Sequence, residues 1–239
     1  MYNLLKRVNM SQHEALQNSV RLLKAVSYFS NLDDAAMKLV AQSAIFREYE
    51  SGQVILLEGE PCTGLYIVES GWLKAVKIGV DGREQVLQTL GPKEVFNAIS
   101  VFTDAPNQAT VTALETSRVW IVRSEVLLKL IDGHPTLARQ VVKDLAGRVM
   151  HLVRLVEDLS LRSVEARLAR LLLEQAENEV VSRQRWATQA EMAARLGTVP
   201  DMINRALRKL AEAGMIHVER QQIQILDREG LEAVAQVVE

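Results

Sequence analysis

Hydrophobic and polar residues follow three different rhythms along this chain, and each rhythm predicts one part of the fold. From about residue 45 to residue 122, short runs rich in Val, Ile, Leu and Tyr alternate with glycine turns. Such runs are typical of an antiparallel β-roll or barrel, and Asp81-Gly82 marks a hairpin turn within it. Residues 11–43 show helical periodicity, and residues 124–131 are predicted to form a short helix that ends before Pro135.

The second rhythm is a heptad repeat between residues 138 and 159. Its two seam positions hold Val142, Val149 and Val156 on one side and Ala138, Leu145, Leu152 and Leu159 on the other. A β-branched residue at the first position with leucine at the second favours a parallel two-stranded coiled coil. The alternative is one amphipathic helix packed on its own domain, but so narrow a seam is more typical of helix pairing. We therefore predict a homodimer whose interface contains these residues, except Ala138.

The third rhythm lies between residues 186 and 226, where two short helices precede a predicted β-hairpin. Thr188 is expected to cap the first helix, which ends at Gly197. Thr198 is expected to cap the second helix, with Pro200 in its first turn, and Gly214 is expected to end it. This order of elements is that of a winged helix-turn-helix, a common DNA-binding unit.

The second helix of this segment has an apolar face and a polar face. Its predicted core residues recur at helical spacing and are Ile203, Ala206, Leu207 and Leu210. Its polar face suits DNA, because Arg205 can pair bidentately with guanine while Asp201 accepts from cytosine or orients Arg205. Asn204 can pair bidentately with adenine, and Arg208, Lys209 and Arg220 can contact phosphates. The predicted DNA-contacting residues are Thr188, Thr198, Pro200, Asp201, Asn204, Arg205, Arg208, Lys209 and Arg220.

The charge distribution agrees with a nucleic-acid partner. Residues 183–220 contain seven Lys/Arg and four Asp/Glu, a local excess of +3 in a chain of formal net charge −2. A merely solvated helix face, or a winged helix that docks a protein, is the alternative. The order of elements favours double-stranded DNA, and a twofold dimer is expected to read a palindrome with half-sites roughly 34 Å apart.

Length and composition allow two modest hydrophobic cores, since the chain has 239 residues, 48% of them hydrophobic and 24% charged. The fold class expected is α+β. We predict a sensor β-roll domain with flanking helices at 1–134, a dimerisation helix at 135–162 and a winged helix-turn-helix domain at 163–239. No apolar run approaches the ~20 residues of a membrane span and no signal peptide is evident, so a cytoplasmic protein without a membrane partner is expected.

Catalytic and metal-binding motifs are missing from the sequence. There is no GxGxxG, P-loop, GxSxG or HExxH motif, and four scattered histidines do not form a metal site. The single cysteine, Cys62, excludes an internal disulfide and an iron–sulfur cluster. The chain is therefore not expected to be an enzyme.

Several stretches resemble the CRP/FNR family of bacterial transcription regulators. They are EGEPCTGLYIVESGWLKAVKI, DGREQVLQTLGP, TQAEMAARLG and AGMIHVERQQIQILDREGLE. The resemblance covers nearly the whole chain. It implies that the β-roll binds an effector, that the dimer helix transmits the change to the recognition helices, and that RNA polymerase is a partner.

The effector implied by the resemblance is not cyclic AMP. Members that bind this nucleotide carry a Gly-Glu pair and an Arg-Ser or Arg-Thr pair, where this chain has Asn97-Ala98 and Gln108-Ala109. Without the guanidinium and the carboxylate, the cyclic phosphate and the ribose lose their partners. The predicted effector pocket comprises Phe96, Asn97, Ala98, Ile99, Gln108, Ala109, Leu145 and Val149, although such apolar stripes more commonly form core.

Within the family, the segment FNAISVFTDAPNQATVTA and the recognition helix look most like the Dnr-type regulators of nitric-oxide metabolism. The resemblance implies haem as a cofactor, and haem with nitric oxide is the leading candidate effector. The candidate axial ligands are His13, His134, His151, His217, Cys62 and the methionines, and none stands out. The alternatives are a ligand-independent regulator of the same family and a cyclic-nucleotide-binding signalling module.

Overall fold

The computed structural model describes residues 20–182 and 188–236. The chain divides into two units, one from Met1–Lys77 and Gln88–Val149, the other from Ile78–Leu87 and Met150–Glu239. The expectations for residues 11–19, which include His13, and for residues 183–187 lie outside the described part of the chain.

Between residues 45 and 123, eight strands form two antiparallel four-stranded sheets. The strands are β1 (Ile45–Tyr49), β2 (Val54–Leu56), β3 (Gly64–Ser70), β4 (Leu73–Ile78), β5 (Glu84–Leu90), β6 (Val95–Phe96), β7 (Thr110–Ala113) and β8 (Ser117–Arg123). One sheet has the order β1-β8-β3-β6 and the other β2-β7-β4-β5. Asp81-Gly82 lies in the turn between β4 and β5, where the Gly79 amide donates to the Arg83 carbonyl at 2.8 Å. The predicted β-roll is confirmed.

The side chains of strand β3 contribute to two hydrophobic cores, one on each face of its sheet. Successive side chains of a strand point to opposite faces. Leu65 and Ile67 pack with the helices on one face, while Tyr66 and Val68 pack with the other sheet. A strand buried on both faces is therefore apolar at successive positions, as the run Leu65-Tyr66-Ile67-Val68 is.

Helices precede and follow the strands of the roll, and one lies between β6 and β7. Residues 20–25 are helical, α1 spans Asp34–Ser43, α2 Ala98–Thr103, α3 Ser124–Gly133 and α4 Pro135–Leu161. The helical rhythm predicted over 11–43 is interrupted, because residues 26–31 form turns and Asp33 caps α1 by accepting from the Ala36 amide at 2.8 Å. Proline disfavours a helical conformation in the residue before it, so α3 ends before His134 and α4 begins at Pro135.

The C-terminal elements form a separate core. They are α5 (Val164–Gln175), β9 (Val180–Ser182), α6 (Gln189–Leu196), α7 (Pro200–Glu212), β10 (Ile216–Val218), β11 (Gln222–Ile225) and α8 (Arg228–Gln236). The strands form a small antiparallel sheet in the order β10-β11-β9. Leu168, Ile203, Ile223 and Leu231 are completely buried at the centre of this winged helix-turn-helix. Throughout the described ranges, no helix combines the length and apolar character that crossing a membrane requires.

Candidate nucleic-acid interface

Helix α6 begins at a threonine cap and ends at a glycine in the turn to α7. Thr188 Oγ1 accepts a hydrogen bond from the Glu191 amide at 3.2 Å, which confirms the predicted start of α6. Gly197 has a φ of +62°, a conformation that disfavours side chains. An added Cβ there would lie 2.5 Å from Leu159 Cδ2 and 2.6 Å from Gln85 Oε1. The backbone conformation is therefore the main reason for glycine here, because the ends of these two side chains can move aside.

The expectation that Thr198 caps α7 is wrong. The helix begins at Pro200, and the N-cap residue is Val199, in an extended conformation with φ −114° and ψ 154° and without a side-chain cap. The physical reason is Pro200 itself, which pushes the preceding residue out of the helical region and supplies a first helical residue that needs no amide partner. Thr198 instead donates its backbone N–H to the Ala193 carbonyl at 2.9 Å.

The C-terminal end of α7 is followed by a glycine in the left-handed conformation, as predicted. Gly214 has a φ of +75°, and its amide donates to the Ala211 carbonyl at 3.0 Å. The Met215 amide reaches back to the Leu210 carbonyl, also at 3.0 Å. These two bonds form a Schellman motif, which satisfies two carbonyl groups of the last turn and ends the helix.

Helix α7 presents a polar face opposite a buried one. Its four predicted core residues, Ile203, Ala206, Leu207 and Leu210, are all buried. On the opposite side Asp201, Arg205, Arg208 and Lys209 are exposed, and Asn204 is half-buried. This helix therefore offers its polar side chains to a partner while its apolar face holds it in place.

Asp201 and Arg205 form an ion pair at the start of this polar face. Arg205 Nη2 lies 2.9 Å from Asp201 Oδ2, one helical turn away, and the side chains are 71% and 68% exposed. Ion pairs this exposed contribute little stability. The pair can therefore exchange its mutual contact for contacts to base edges at small cost.

The predicted phosphate contacts differ in their surroundings. Lys209 Nζ lies 2.7 Å from Glu165 Oε2 on α5, so a phosphate would compete with this carboxylate. Arg208 is exposed and, within residues 20–182 and 188–236, has no ion-pair partner. Arg220 is exposed in the turn between β10 and β11, the tip of the wing. Sequence reasoning missed Glu165, because it lies 44 positions from Lys209 and no local pattern connects them.

Arg195 is mostly buried beside an acidic residue, so it adds no net charge to the exposed surface of this segment. Its side chain is 15% exposed and lies 3.6 Å from the buried Glu191 carboxylate. Burial lowers the pKa of the Arg195 guanidinium below its ordinary value, and Glu191 opposes this change. Since this pair removes one positive and one negative charge, the local positive excess of the sequence is unchanged.

Two residues of the predicted effector pocket belong to the cores of the roll. Phe96 packs against Tyr66 with ring centroids 5.0 Å apart, and Ala98 is buried in the neighbouring core. Between them Asn97 adopts a left-handed conformation, with a φ of +67°. Its amide donates to the Gly64 carbonyl and to Asn107 Oδ1, each at 3.1 Å, and lies 3.4 Å from Cys62 Sγ.

The other predicted pocket residues have varied surroundings. Ile99 and Gln108 are exposed, and the Gln108 amide donates to the Pro106 carbonyl at 2.8 Å. Ala109 is half-buried. Leu145 packs on the core of the first unit, whereas Val149 is exposed. That these residues together bind an effector stays a prediction.

The seam of α4 is largely uncovered in the single chain. The exposed fractions are 66% for Val142, 58% for Val149 and 63% for Val156. Leu152 and Leu159 are also exposed, while Leu145 is half-buried. Most of the predicted dimer interface is therefore an apolar strip that no element of residues 20–182 or 188–236 covers.

The described histidines are engaged with protein atoms or lie in the wing. His134 Nδ1 is 3.0 Å from the Leu130 carbonyl, and its Nε2 is 3.6 Å from Asp33 Oδ2. His151 Nε2 is 3.0 Å from the Leu87 carbonyl, and His217 lies on β10. In the part of the chain that the structure describes, no three or more His, Cys, Asp or Glu side chains are grouped to hold a metal ion.

Two family models match the chain, one in each half. Residues 46–134 match a cyclic nucleotide-binding domain, and residues 166–234 match a Crp-like helix-turn-helix domain. The first match covers the β-roll and the second covers α5 to α8.

Relatives match over both halves. A CRP-like cAMP-activated global transcriptional regulator of Mycobacterium tuberculosis is 27% identical over 216 residues, 88% of this chain and 96% of the relative. The structure of a crp/fnr-family regulator of Eubacterium rectale is 25% identical with a TM-score of 0.72, covering 88% of this chain and 99% of that one. FixK2 from Bradyrhizobium japonicum shares the fold, with 23% identity, a TM-score of 0.71, and coverage of 81% and 98%.

Proposed function

Because the chain belongs to the CRP/FNR family of transcription regulators, we propose that it acts as a homodimer that reads a palindromic site in double-stranded DNA. RNA polymerase is the protein partner that we propose. The relatives named above are transcription regulators, which supports a regulatory rather than an enzymatic function.

The observation that carries the proposal is the outer face of α7. A helix whose apolar residues are buried and whose Asp201, Arg205 and Arg208 are exposed can enter the major groove without unfolding its own core. Arg205 would read guanine, Asp201 would accept from the cytosine amino group, and Arg208 and Arg220 would contact phosphates. Thr188 lies at the start of α6, and Thr198 lies in the turn between α6 and α7.

The exposed strip on α4 supports the homodimer. Val142, Val149 and Val156 are separated by seven residues and are all more than half exposed. Burying such a strip against an identical helix removes apolar surface from water without changing either fold. Two copies joined in parallel would carry two recognition helices related by a twofold axis, which requires a palindromic site.

The surroundings of Asn97 favour a regulator that does not respond to cyclic AMP. The Asn97 amide is bonded to Gly64 and Asn107, and Asn107 is buried and donates to the Leu57 carbonyl at 3.2 Å. Polar groups already paired inside the protein offer a nucleotide little new bonding energy. This observation argues against cyclic AMP alone, so it fits the second candidate function, a regulator of the same family that needs no ligand, as well as a regulator with another effector.

Haem with nitric oxide is the effector to test first among ligands, since the resemblance to the Dnr-type branch suggests it. His134 does not fit an axial ligand as it stands, because its Nδ1 and Nε2 atoms both face protein acceptors. His151 has only Nε2 facing the Leu87 carbonyl. No step of the mechanism is therefore assigned to haem.

The proposal is tested by selecting bound sequences from a random DNA pool with the purified protein. One arm contains no additive, and the other contains haem and nitric oxide. A palindrome recovered in both arms supports the ligand-independent regulator, and one recovered only with the additive supports a haem-linked switch. Failure to enrich any sequence in either arm would contradict DNA reading by this chain.

A further inference from the structure

A second row of side chains on α7 has the chemistry to read an A·T pair. We propose that Pro200 and Asn204 form this row beside the pair Asp201–Arg205, so that the half-site contains an A·T pair next to the G·C pair read by Arg205. This inference rests on the proposed function of the chain as a DNA-binding regulator.

The spacing places these four residues in two parallel rows. Pro200 and Asn204 are four residues apart and lie along one edge of the helix, while Asp201 and Arg205 form the neighbouring row. Both rows begin in the first turn, the part of a recognition helix that approaches base edges. Neighbouring rows on one helix can therefore contact neighbouring base pairs.

Asn204 has an amide available for a base. Its side chain is half-buried, and within the two described ranges it makes no hydrogen bond. An amide offers one donor group and one acceptor, the pattern that pairs with N7 and the N6 amino group of adenine. Because the Asn204 side chain is partly buried, its amide can point in fewer directions. This restriction favours contact with one base over contacts with several phosphates.

Pro200 supplies an apolar contact. Its ring is exposed at the first helical position, where it has no N–H to donate, and the adjoining Val199 is 41% exposed. Among the four bases, only thymine presents a methyl group in the major groove. A rigid apolar ring beside an amide is thus complementary to thymine and adenine, and unsuited to guanine or cytosine, whose polar edges it would leave without partners.

The test uses the palindrome recovered by selection, with single atoms removed from its bases. Deoxyuridine replaces each thymidine in turn to remove the methyl group, and 7-deazaadenine replaces each adenine to remove N7. For the unmodified chain, removal of one thymine methyl per half-site should raise the Kd about fourfold, the effect of burying one methyl group. Removal of one adenine N7 should raise the Kd at least about fivefold, which is the lower end of the range for a bidentate pair.

Variants assign each effect to its residue. In Pro200→Gly, which leaves no apolar side chain, the effect of deoxyuridine should disappear and that of 7-deazaadenine should remain, with the reverse in Asn204→Ala. In Asn204→Asp, which keeps only acceptors, selection should recover cytosine in place of that adenine. A purely structural role of Asn204 would weaken binding without this change of base. Circular dichroism of each variant verifies its folding.

The outcomes separate this assignment from the proposed function. A palindrome whose binding depends on Arg205 but not on any thymine methyl or adenine N7 would overturn the A·T assignment alone. Absence of any enriched palindrome would overturn the assignment together with the proposed function. Loss of the two modified-base effects in the matching variants would establish the assignment.

Discussion

The hydroxyl group of Tyr28 donates a hydrogen bond to Asp144 Oδ2 at 2.6 Å, across 116 positions of sequence. Arg148 Nε donates to the same carboxylate oxygen at 2.7 Å, and Arg148 Nη1 donates to Gln88 Oε1 at 3.0 Å. The remaining guanidinium nitrogen donates to the Val95 carbonyl. Asp144 thus attaches α4 to the N-terminal segment, while Arg148 attaches it to strands β5 and β6.

We expect Arg148→Met to lower the free energy of unfolding by about 2 kcal/mol, because the largely buried partners of the guanidinium lose a charged donor. Methionine retains the apolar stem, so the loss reports on the hydrogen bonds. Urea unfolding followed by circular dichroism measures it. Arg154→Met, at an exposed position of the same helix, is the control. Equal losses in the two variants would show that the Arg148 contacts do not stabilise the fold.

The alkaline stability of the protein should depend on Tyr28. Burial raises the pKa of Tyr28 above its ordinary value, and the hydrogen bond to Asp144 raises the pKa further. A raised pKa in the folded state means that the stabilisation is complete below the pKa of an unfolded tyrosine, about 10, and is lost as pH rises above it.

Tyr28→Phe should therefore show a smaller fall in urea midpoint between pH 9 and pH 11. Part of the fall will remain, because burial also raises the pKa of Tyr49, to about 12, and that of Tyr66. Identical pH profiles for the variant and the unchanged chain would refute the contribution of Tyr28.

Two threonines on either side of Gly197 should respond differently to substitution. Thr188→Ala removes the N-cap acceptor of α6 and should destabilise the protein by about 1 kcal/mol. Thr198→Ala should cost less, since Thr198 caps neither helix. Thermal unfolding of both variants provides the comparison, and a larger loss for Thr198→Ala would count against the observed start of α7.

Pairing of α4 should depend on the seam valines. Val149→Lys places a charge in the proposed interface and should convert a dimer into a monomer, as measured by sedimentation equilibrium. Met150→Lys is the matched control, because Met150 is 56% exposed and adjacent to Val149 but outside the heptad seam. A dimer that persists in Val149→Lys would exclude this seam as the interface.

Substitutions on α7 should separate base reading from phosphate contact. Arg205→Ala should cost about 1–3 kcal/mol of binding and relax one base position, whereas Lys209→Ala should weaken all sequences evenly. Of the two phosphate-contact variants, Arg208→Ala should lose more affinity for all sequences than Lys209→Ala, because Lys209 already pairs with Glu165. Binding titrations at several salt concentrations test this, and the same even loss from Arg205→Ala would contradict its base contact.

Local periodicity predicted most of the fold and much of the site. The β-roll, the long helix and the buried face of α7 are each predicted by a hydrophobic pattern that repeats along the segment. One residue that departs from such a pattern does not change the prediction. The cap of α7 was missed because the effect of Pro200 on Val199 prevailed over the general preference for threonine at a helix start. The pairs Tyr28–Asp144 and Lys209–Glu165 join distant segments, and no local pattern encodes them.

The exposed valines of α4 give the proposed dimer a dependence on the amount of protein. Pairing of two separate chains is bimolecular, so while most chains are single, the number of dimers grows with the square of the total concentration. Doubling the protein then raises occupancy of the palindrome by about fourfold, and only by about twofold once most chains are paired. Synthesis and degradation of this chain can thus act as the input to the genes it controls, with a threshold set by the strength of the valine seam.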